Sequence, residues 1–184
     1  FAARPALGRV VMGRPQPGPR THQISIVDIN GRAWLADVGF GGPGLIEPIP
    51  YSAGYEGEQL GRKIRLRADA SWGLCYEEIH EGDWRTIYCL PEERAEAVDF
   101  ELGNHYCATH PASVFRQNLY CTLANPAGKV TGWNKSVHQS RGLQKEEKIL
   151  SSSGDLRWLV AEKLGICLPE ADYPPLWQRL ASLP

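Results

Sequence analysis

An Asn-Gly pair between two apolar runs is the feature of this sequence that most constrains its fold. The runs HQISIVDI (residues 22–29) and RAWLADV (residues 32–38) have the composition and alternation of β-strands. Asn30 and Gly31 between them are the strongest short signal for a two-residue hairpin turn, because both tolerate the positive φ angles that such a turn requires. The sequence therefore predicts an antiparallel hairpin.

The turn also determines which residues of the hairpin lie side by side. Counting outward from the turn, Asp37 falls opposite Ile24, and His22 is its diagonal neighbour on the same face. Ile26 and Leu35 share that face. Diagonal neighbours are about 7–8 Å apart at their Cα atoms, which is within reach of an imidazole and a carboxylate. A register shift of one residue would place the two side chains on opposite faces.

Two interpretations of this pair are open from the residues alone. In the first, Asp37 fixes the tautomer of His22, whose other nitrogen takes a proton from a nucleophile. In the second, the histidine only satisfies a carboxylate that would be costly to bury alone. The following GFGGPG favours the first, since glycines let a ligand approach the backbone and place Phe40 on an exposed wall. Its spacing is not that of a nucleotide-binding motif.

The remaining chain divides into a β-rich block that ends near residue 105 and a mixed α/β block. Antiparallel strands are predicted from alternation and turn residues over 63–68, 73–80 and 83–90. The later block is predicted to begin helically within 91–109 and to return to strands over 114–140, with a turn at Pro126-Ala127-Gly128. A helix capped by Ser153 follows, with Leu156, Leu159, Val160 and Leu164 on one face and Gly165 at its end, and a shorter helix covers 174–183.

Composition excludes several partner classes. Twenty basic and 21 acidic residues give a net charge of −1 without a basic block, so we expect no nucleic acid and no membrane surface as partner. No apolar run approaches the roughly 20 residues of a membrane helix. The five cysteines are scattered, which is typical of reduced thiols in a cytoplasmic protein and gives no support to a zinc site. Cys107, between His105 and His110, invites a nucleophile or metal interpretation; the alternative is a buried thiol beside solvated histidines.

A family resemblance becomes specific at the hairpin. The stretch RTHQISIVDINGRAWLADVGFGG (residues 20–42) resembles the arylamine N-acetyltransferase family, whose pattern is Thr-His, an apolar strand and then DVGFGG. GRVV (residues 8–11) precedes it at a suitable distance, and DFELGNHYCATHPASVF (residues 99–115) is similar to the segment that enters the third domain of the family. The resemblance covers most of the chain.

The resemblance implies an α+β fold with an antiparallel β-barrel domain over residues 1–105 and a smaller α/β lid domain over residues 106–184. In the family a Cys-His-Asp triad takes acetyl from acetyl-CoA and passes it to an arylamine, hydrazine or N-hydroxyarylamine, and no metal is used. By that match, His22 is the general base and Asp37 orients it. The residues implied to line the substrate and coenzyme A pocket are Val10, Thr21, Gly39, Phe40 and Phe115.

One part of the family pattern is missing from the sequence. The family nucleophile lies in an Arg-Gly-Gly-x-Cys stretch at the end of an N-terminal helical domain, and no such stretch occurs here. Phe1 matches a position shortly after that nucleophile, so the chain resembles the second and third domains of the family without the first. We expect the missing helical domain to be its partner in catalysis, whether that domain belongs to the same polypeptide, is encoded separately or has been lost. The alternatives are a non-catalytic relic or binding module on the same scaffold and an amide synthase of the same fold.

Overall fold

The computed structural model describes residues 2–12, 14–125, 128–141 and 144–183. The chain forms two compact units, Phe1–Ala108 and Thr109–Pro184. Each unit has its own cluster of buried apolar side chains. Within the described ranges, no helix combines the length and the apolar character needed to cross a membrane.

The first unit is built on one antiparallel sheet with a helix at its C-terminal end. Its strands are β1 (Ala2–Val10), β2 (Arg20–Ile29), β3 (Arg32–Ala36), β4 (Ile49–Pro50), β5 (Glu56–Gln59), β6 (Arg62–Asp69), β7 (Gly73–His80) and β8 (Asp83–Leu90), and the helix is α1 (Ala97–Thr109). The strand order is β4-β3-β2-β1-β8-β7-β6-β5. All of its ladders are antiparallel, as the turn signals predicted.

The β2–β3 hairpin has the register that its turn predicted. Ile29 pairs with Arg32 across the turn, and the same count continues to the end of β3. Asn30 and Gly31 have φ angles of 55° and 74°, the left-handed conformation of a type I′ turn. The Gly31 amide donates to Asp28 Oδ1 at 3.0 Å, which closes the turn with a side-chain acceptor.

The predicted barrel is an open sheet in its hydrogen bonding. Among the described strands, β4 and β5 stand at the two ends of the order and pair with β3 and β6, not with each other. β4 is only two residues long and ends at Pro50, which has no amide to donate to a further ladder. The prediction of an antiparallel sheet is therefore confirmed, whereas closure of the ladder into a barrel is corrected.

The two faces of this sheet have different contents. One face carries the apolar core, whose fully buried members are Leu35, Ile49, Ile64, Leu66, Tyr76, Ile87, Tyr88 and Leu90. On the other face Glu77 is buried, and its carboxylate accepts from Arg65 Nε at 2.7 Å, Arg67 Nε at 3.0 Å and the Thr86 hydroxyl at 2.8 Å. Burial alone would raise the pKa of Glu77, but these hydrogen bonds outweigh it and hold the pKa below its ordinary value.

The second unit is a four-stranded antiparallel sheet with helices packed on it. The strands, in spatial order β12-β11-β10-β9, are β9 (Tyr120–Asn125), β10 (Gly128–Trp133), β11 (Ser136–Arg141) and β12 (Gln144–Ile149). The helices are α2 (Val114–Gln117), α3 (Ser153–Arg157), which continues as a π-helical segment (Trp158–Lys163), and α4 (Tyr173–Ala181), preceded by a 3₁₀ turn (Glu170–Asp172). The core of this unit contains Val137, Leu150, Leu156, Leu159, Val160, Tyr173 and Leu180.

Three local predictions in the second unit differ from the structure or lie outside it. Residues 114–117, predicted as strand, form a single helical turn, because four residues of mixed polarity carry no reliable period. The hydroxyl of Ser152, rather than that of Ser153, caps α3 by accepting from the Asp155 amide at 3.1 Å. The predicted turn at Pro126-Ala127 lies outside the described residues.

Candidate active site

His22 and Asp37 meet at the open end of the β2–β3 hairpin. His22 lies on β2, and Asp37 is the first residue after β3. His22 Nε2 is 2.8 Å from Asp37 Oδ2, and the side chains of the two residues are 10% and 0% exposed. The sequence prediction that the pair shares one face and is in contact is confirmed. Depth of burial makes this contact strong, because little water competes for it.

The second oxygen of Asp37 determines the orientation of the pair. Asp37 Oδ1 accepts from the amides of Gly39 and Phe40, each at 3.1 Å. With both oxygens used as acceptors, we assign the proton of the histidine to Nε2, which donates to Oδ2. His22 Nδ1 then carries the lone pair, so it is the ring nitrogen that can accept a proton from a reacting group.

Aromatic rings form the surroundings of His22. The ring of Phe40 meets it edge-on at 4.8 Å between centroids, and the ring of Tyr88 lies at 5.0 Å. Phe40 and Tyr88 are themselves 5.4 Å apart, and Tyr76 is 5.1 Å from Tyr88. These rings fix the plane of the imidazole and keep one side of it apolar. The sequence predicted Phe40 near this site but on an exposed wall. The exposure is corrected, since Phe40 is half-buried and packs against the core.

Tyr88 is the member of the site that sequence reasoning missed. Its hydroxyl is buried, and burial first, then the nearby charge of Asp37, raises the pKa of Tyr88 well above its ordinary value. The hydroxyl has no hydrogen-bond partner of good geometry among the described residues. Tyr88 reaches His22 because β8 pairs with β1. These strands are far apart in sequence, so no local sequence pattern predicts their pairing.

The other predicted pocket residues lie at different places. Val10 pairs directly with Tyr88 where β1 meets β8, so it belongs to the surroundings of the aromatic cluster. Thr21 precedes His22 on β2, and its backbone lies near α1, since its Cα is 3.5 Å from the position that a Cβ on Gly103 would take. Phe115 is in the second unit, where this residue is 57% exposed and lines an apolar cavity of about 530 Å³.

The cysteines include one pair that the sequence did not predict. Cys75 and Cys89 lie directly opposite each other in the β7–β8 ladder and are joined by a disulfide. The expectation of reduced thiols is therefore wrong for these two, because the ladder brings together residues that are 14 positions apart. Burial raises the pKa of the Cys121 thiol, which opposes formation of its thiolate. Over the described ranges, no group of three or more His, Cys, Asp or Glu side chains is arranged to hold a metal ion.

Comparison with known proteins assigns the family of this chain. A family model described as N-acetyltransferase matches residues 1–173. The arylamine N-acetyltransferase / N-hydroxyarylamine O-acetyltransferase of Salmonella typhimurium is 34% identical over 133 residues, 71% of this chain and 47% of its own length. The arylamine N-acetyltransferase of Escherichia coli is 30% identical over 177 residues, 94% of this chain and 62% of its own length. The chain belongs to the arylamine N-acetyltransferase family and spans about half to three fifths of the length of these relatives.

Solved structures show the same fold. The arylamine N-acetyltransferase from Salmonella typhimurium superposes with a TM-score of 0.86 at 27% identity, over 100% of this chain and 69% of that chain. The Mycobacterium marinum arylamine N-acetyltransferase in complex with CoA superposes with a TM-score of 0.85 at 23% identity, over 97% of this chain and 68% of that chain. The predicted family and its α+β class are confirmed.

Proposed function

We propose that this chain supplies the base of a Cys-His-Asp acetyltransferase. The observation that carries the proposal is the buried contact between His22 Nε2 and Asp37 Oδ2, which leaves Nδ1 as the proton acceptor. A thiol is the natural partner of such a base, because its thiolate forms readily beside an imidazole and its acyl thioester exchanges with amines. His22 is then the general base, and Asp37 orients it.

The proposed reaction has two steps, acetylation of the thiol and transfer of the acetyl group to the amine. First the thiol gives its proton to His22 Nδ1, and the thiolate forms a bond to the acetyl carbonyl of acetyl-CoA. The bond to the CoA sulfur breaks, and CoA leaves with the proton from His22. In the second step an amine attacks the enzyme thioester, the C–S bond breaks, and the amine proton returns to the cysteine sulfur through His22. No metal is needed in either step.

We propose that the nucleophilic cysteine comes from a helical domain outside these 184 residues. None of the five cysteines stands in an Arg-Gly-Gly-x-Cys stretch, which carries the nucleophile in the pattern that the chain resembles. Cys75 and Cys89 are bonded to each other, and Cys121 is held in its thiol form by burial. On this proposal the first unit provides the base and the aromatic surroundings.

Substrates are proposed from the family. The relatives are named for acetyl transfer to arylamines and N-hydroxyarylamines, and one neighbour of the same fold was solved with CoA. We therefore propose acetyl-CoA as donor and a flat aromatic amine or a hydrazine as acceptor. In the β-rich domain (residues 1–105), Val10, Thr21, Gly39 and Phe40 are proposed as substrate and coenzyme A residues. In the proposed lid domain (residues 106–184), Phe115 is proposed for the same role from the family resemblance alone.

Reconstitution tests this proposal. The 184-residue chain is mixed with a separately expressed family N-terminal helical domain that carries the Arg-Gly-Gly-x-Cys stretch, and acetylation of an arylamine is followed. We expect activity with the mixture that is lost when the chain carries His22→Gln. A matched variant at an exposed histidine, His138→Gln, should leave the activity unchanged. Equal activity with His22→Gln would show that the pair is only structural, and binding of CoA by an inactive mixture would favour a binding module.

A further inference from the structure

The segment that follows Asp37, here called the glycine loop (residues 39–44), is held at both of its ends. At its near end the Gly39 and Phe40 amides donate to Asp37 Oδ1. At its far end the Gly44 carbonyl accepts from Arg62 Nη2 at 2.8 Å. The neighbouring Pro43 carbonyl accepts from the Tyr76 hydroxyl at 3.3 Å. The loop therefore bridges the His22–Asp37 pair and the β6–β7 strands.

Arg62 is itself fixed by a carboxylate. Arg62 Nη1 is 2.6 Å from Glu78 Oε2, and the two side chains are only 21% and 11% exposed. One planar guanidinium thus binds a carboxylate with one nitrogen and a loop carbonyl with the other. That fork has a fixed geometry, so Glu78 determines where the donor to Gly44 points.

The loop is too tightly folded to absorb a shift at its far end. The Gly44 amide donates to the Gly41 carbonyl inside the loop. A Cβ atom on Gly44 would lie 2.8 Å from the Gly41 oxygen and 2.8 Å from the Phe40 Cβ. The backbone at Gly44 therefore lies too close to residues 40 and 41 to admit a side chain. A displacement of Gly44 therefore acts through its amide hydrogen bond on Gly41, the residue next to Phe40. The Phe40 amide is one of the two donors to Asp37.

We propose that Arg62, oriented by Glu78, is a positioning residue for the His22–Asp37 pair. By holding the Gly44 carbonyl it keeps the Gly39 and Phe40 amides on Asp37 Oδ1, which leaves Oδ2 directed at His22. The role that this gives the pair in acetyl transfer rests on the proposed function, but the positioning itself does not depend on it.

The variant Arg62→Lys tests this positioning because it keeps the charge and removes the fork. A single ammonium bonds to Glu78 at the expense of Gly44. Amide hydrogen exchange by NMR on the 184-residue chain should show Gly39 and Phe40 exchanging at least about tenfold faster, the effect of losing one charge-assisted hydrogen bond. The ¹⁵N shifts of the His22 ring should change with them.

Arg65→Lys is the matched control, because Arg65 lies on the same strand and makes a similar ion pair with Glu77 at 2.7 Å. It should leave both amides and the His22 shifts as in the unchanged chain. Equal acceleration in the two variants, or unchanged exchange in a folded Arg62→Lys, would overturn the proposal. If Arg62→Lys fails to fold, Glu78→Ala, which frees the guanidinium, should accelerate the same two amides, and unchanged exchange would again overturn it. These NMR measurements involve no acetyl transfer, so failure of the reconstituted activity with an intact loop would count against the proposed function alone.

Discussion

Asp37→Asn replaces one carboxylate oxygen by an NH₂ group, and the hydrogen bonds around Asp37 determine which ring nitrogen of His22 then carries the proton. The asparagine oxygen can replace either Oδ1, which accepts from two amides at 3.1 Å, or Oδ2, which accepts from His22 Nε2 at 2.8 Å. Placing it toward the histidine would turn the NH₂ group onto two amide donors and lose two hydrogen bonds. If the asparagine oxygen instead takes the place of Oδ1, both hydrogen bonds from the Gly39 and Phe40 amides are kept. That orientation of the asparagine side chain is therefore favoured.

The asparagine NH₂ group then donates to His22 Nε2, and the ring must carry its proton on Nδ1. That is the nitrogen which the proposed reaction needs as the acceptor. The comparable change in a serine triad lowers turnover by about 10⁴, which corresponds to about 5.5 kcal/mol of transition-state stabilisation. Because size and hydrogen-bond number are conserved, we expect the free energy of unfolding to change by only about 1 kcal/mol.

Two assays follow this substitution. ¹⁵N NMR of the neutral His22 ring should show the proton moving from Nε2 to Nδ1, and acetylation in the reconstituted mixture should fall by about 10⁴. Asp28→Asn is the control, since Asp28 accepts a backbone amide at the hairpin turn and should leave both readouts unchanged. A proton that stays on Nε2 in Asp37→Asn, or acetylation within about tenfold of normal, would refute this reasoning.

Three further substitutions test the fold around the site. Tyr88→Phe should change the free energy of unfolding, measured in urea, by less than about 1 kcal/mol, since the hydroxyl has no partner of good geometry among the described residues; a larger loss would reveal a well-formed bond to Asp37. Glu77→Gln should cost about 2–3 kcal/mol near neutral pH, because it removes the charge that Arg65 and Arg67 face. Folding lowers the pKa of Glu77, so its contribution to the free energy of unfolding is complete above its ordinary pKa of 4.5 and is lost as the pH falls through the lower folded pKa. The unchanged chain and Glu77→Gln should therefore become equally stable in acid. A difference in stability that stays constant with pH would contradict the role given to the Glu77 charge. Gly31→Ala should cost about 1–2 kcal/mol because its φ of 74° is left-handed, and an unchanged midpoint of thermal unfolding would show that the turn relaxes freely.

The parts of this fold that could be predicted from sequence are those with local causes. Asn30-Gly31 determines its own turn type and, through it, every pairing in the hairpin, which is why the contact of His22 with Asp37 could be expected. The apolar face of α3 and its continuation could be predicted for the same reason, since a helix repeats its contacts every three or four residues.

The parts that could not be predicted depend on strands that are distant in sequence. The β1–β8 ladder brings Tyr88 to His22, and the β7–β8 register joins Cys75 to Cys89. Nothing in either strand alone specifies these neighbours, because alternation gives the face of a strand but not its partner. The open sheet could not be predicted either, because one of its ends is β4, a strand of only two residues.

Intact-mass analysis after incubation with acetyl-CoA tests the central claim most directly. The claim is that this chain holds the base of the reaction and that the acyl carrier is a cysteine outside these 184 residues. Incubated alone, the chain should remain unmodified; mixed with the helical domain, that domain should gain one acetyl group on its cysteine, provided that His22 is present. A stoichiometric acetyl group on a cysteine of this chain, Cys107 first among them, that passes to an arylamine would contradict the account.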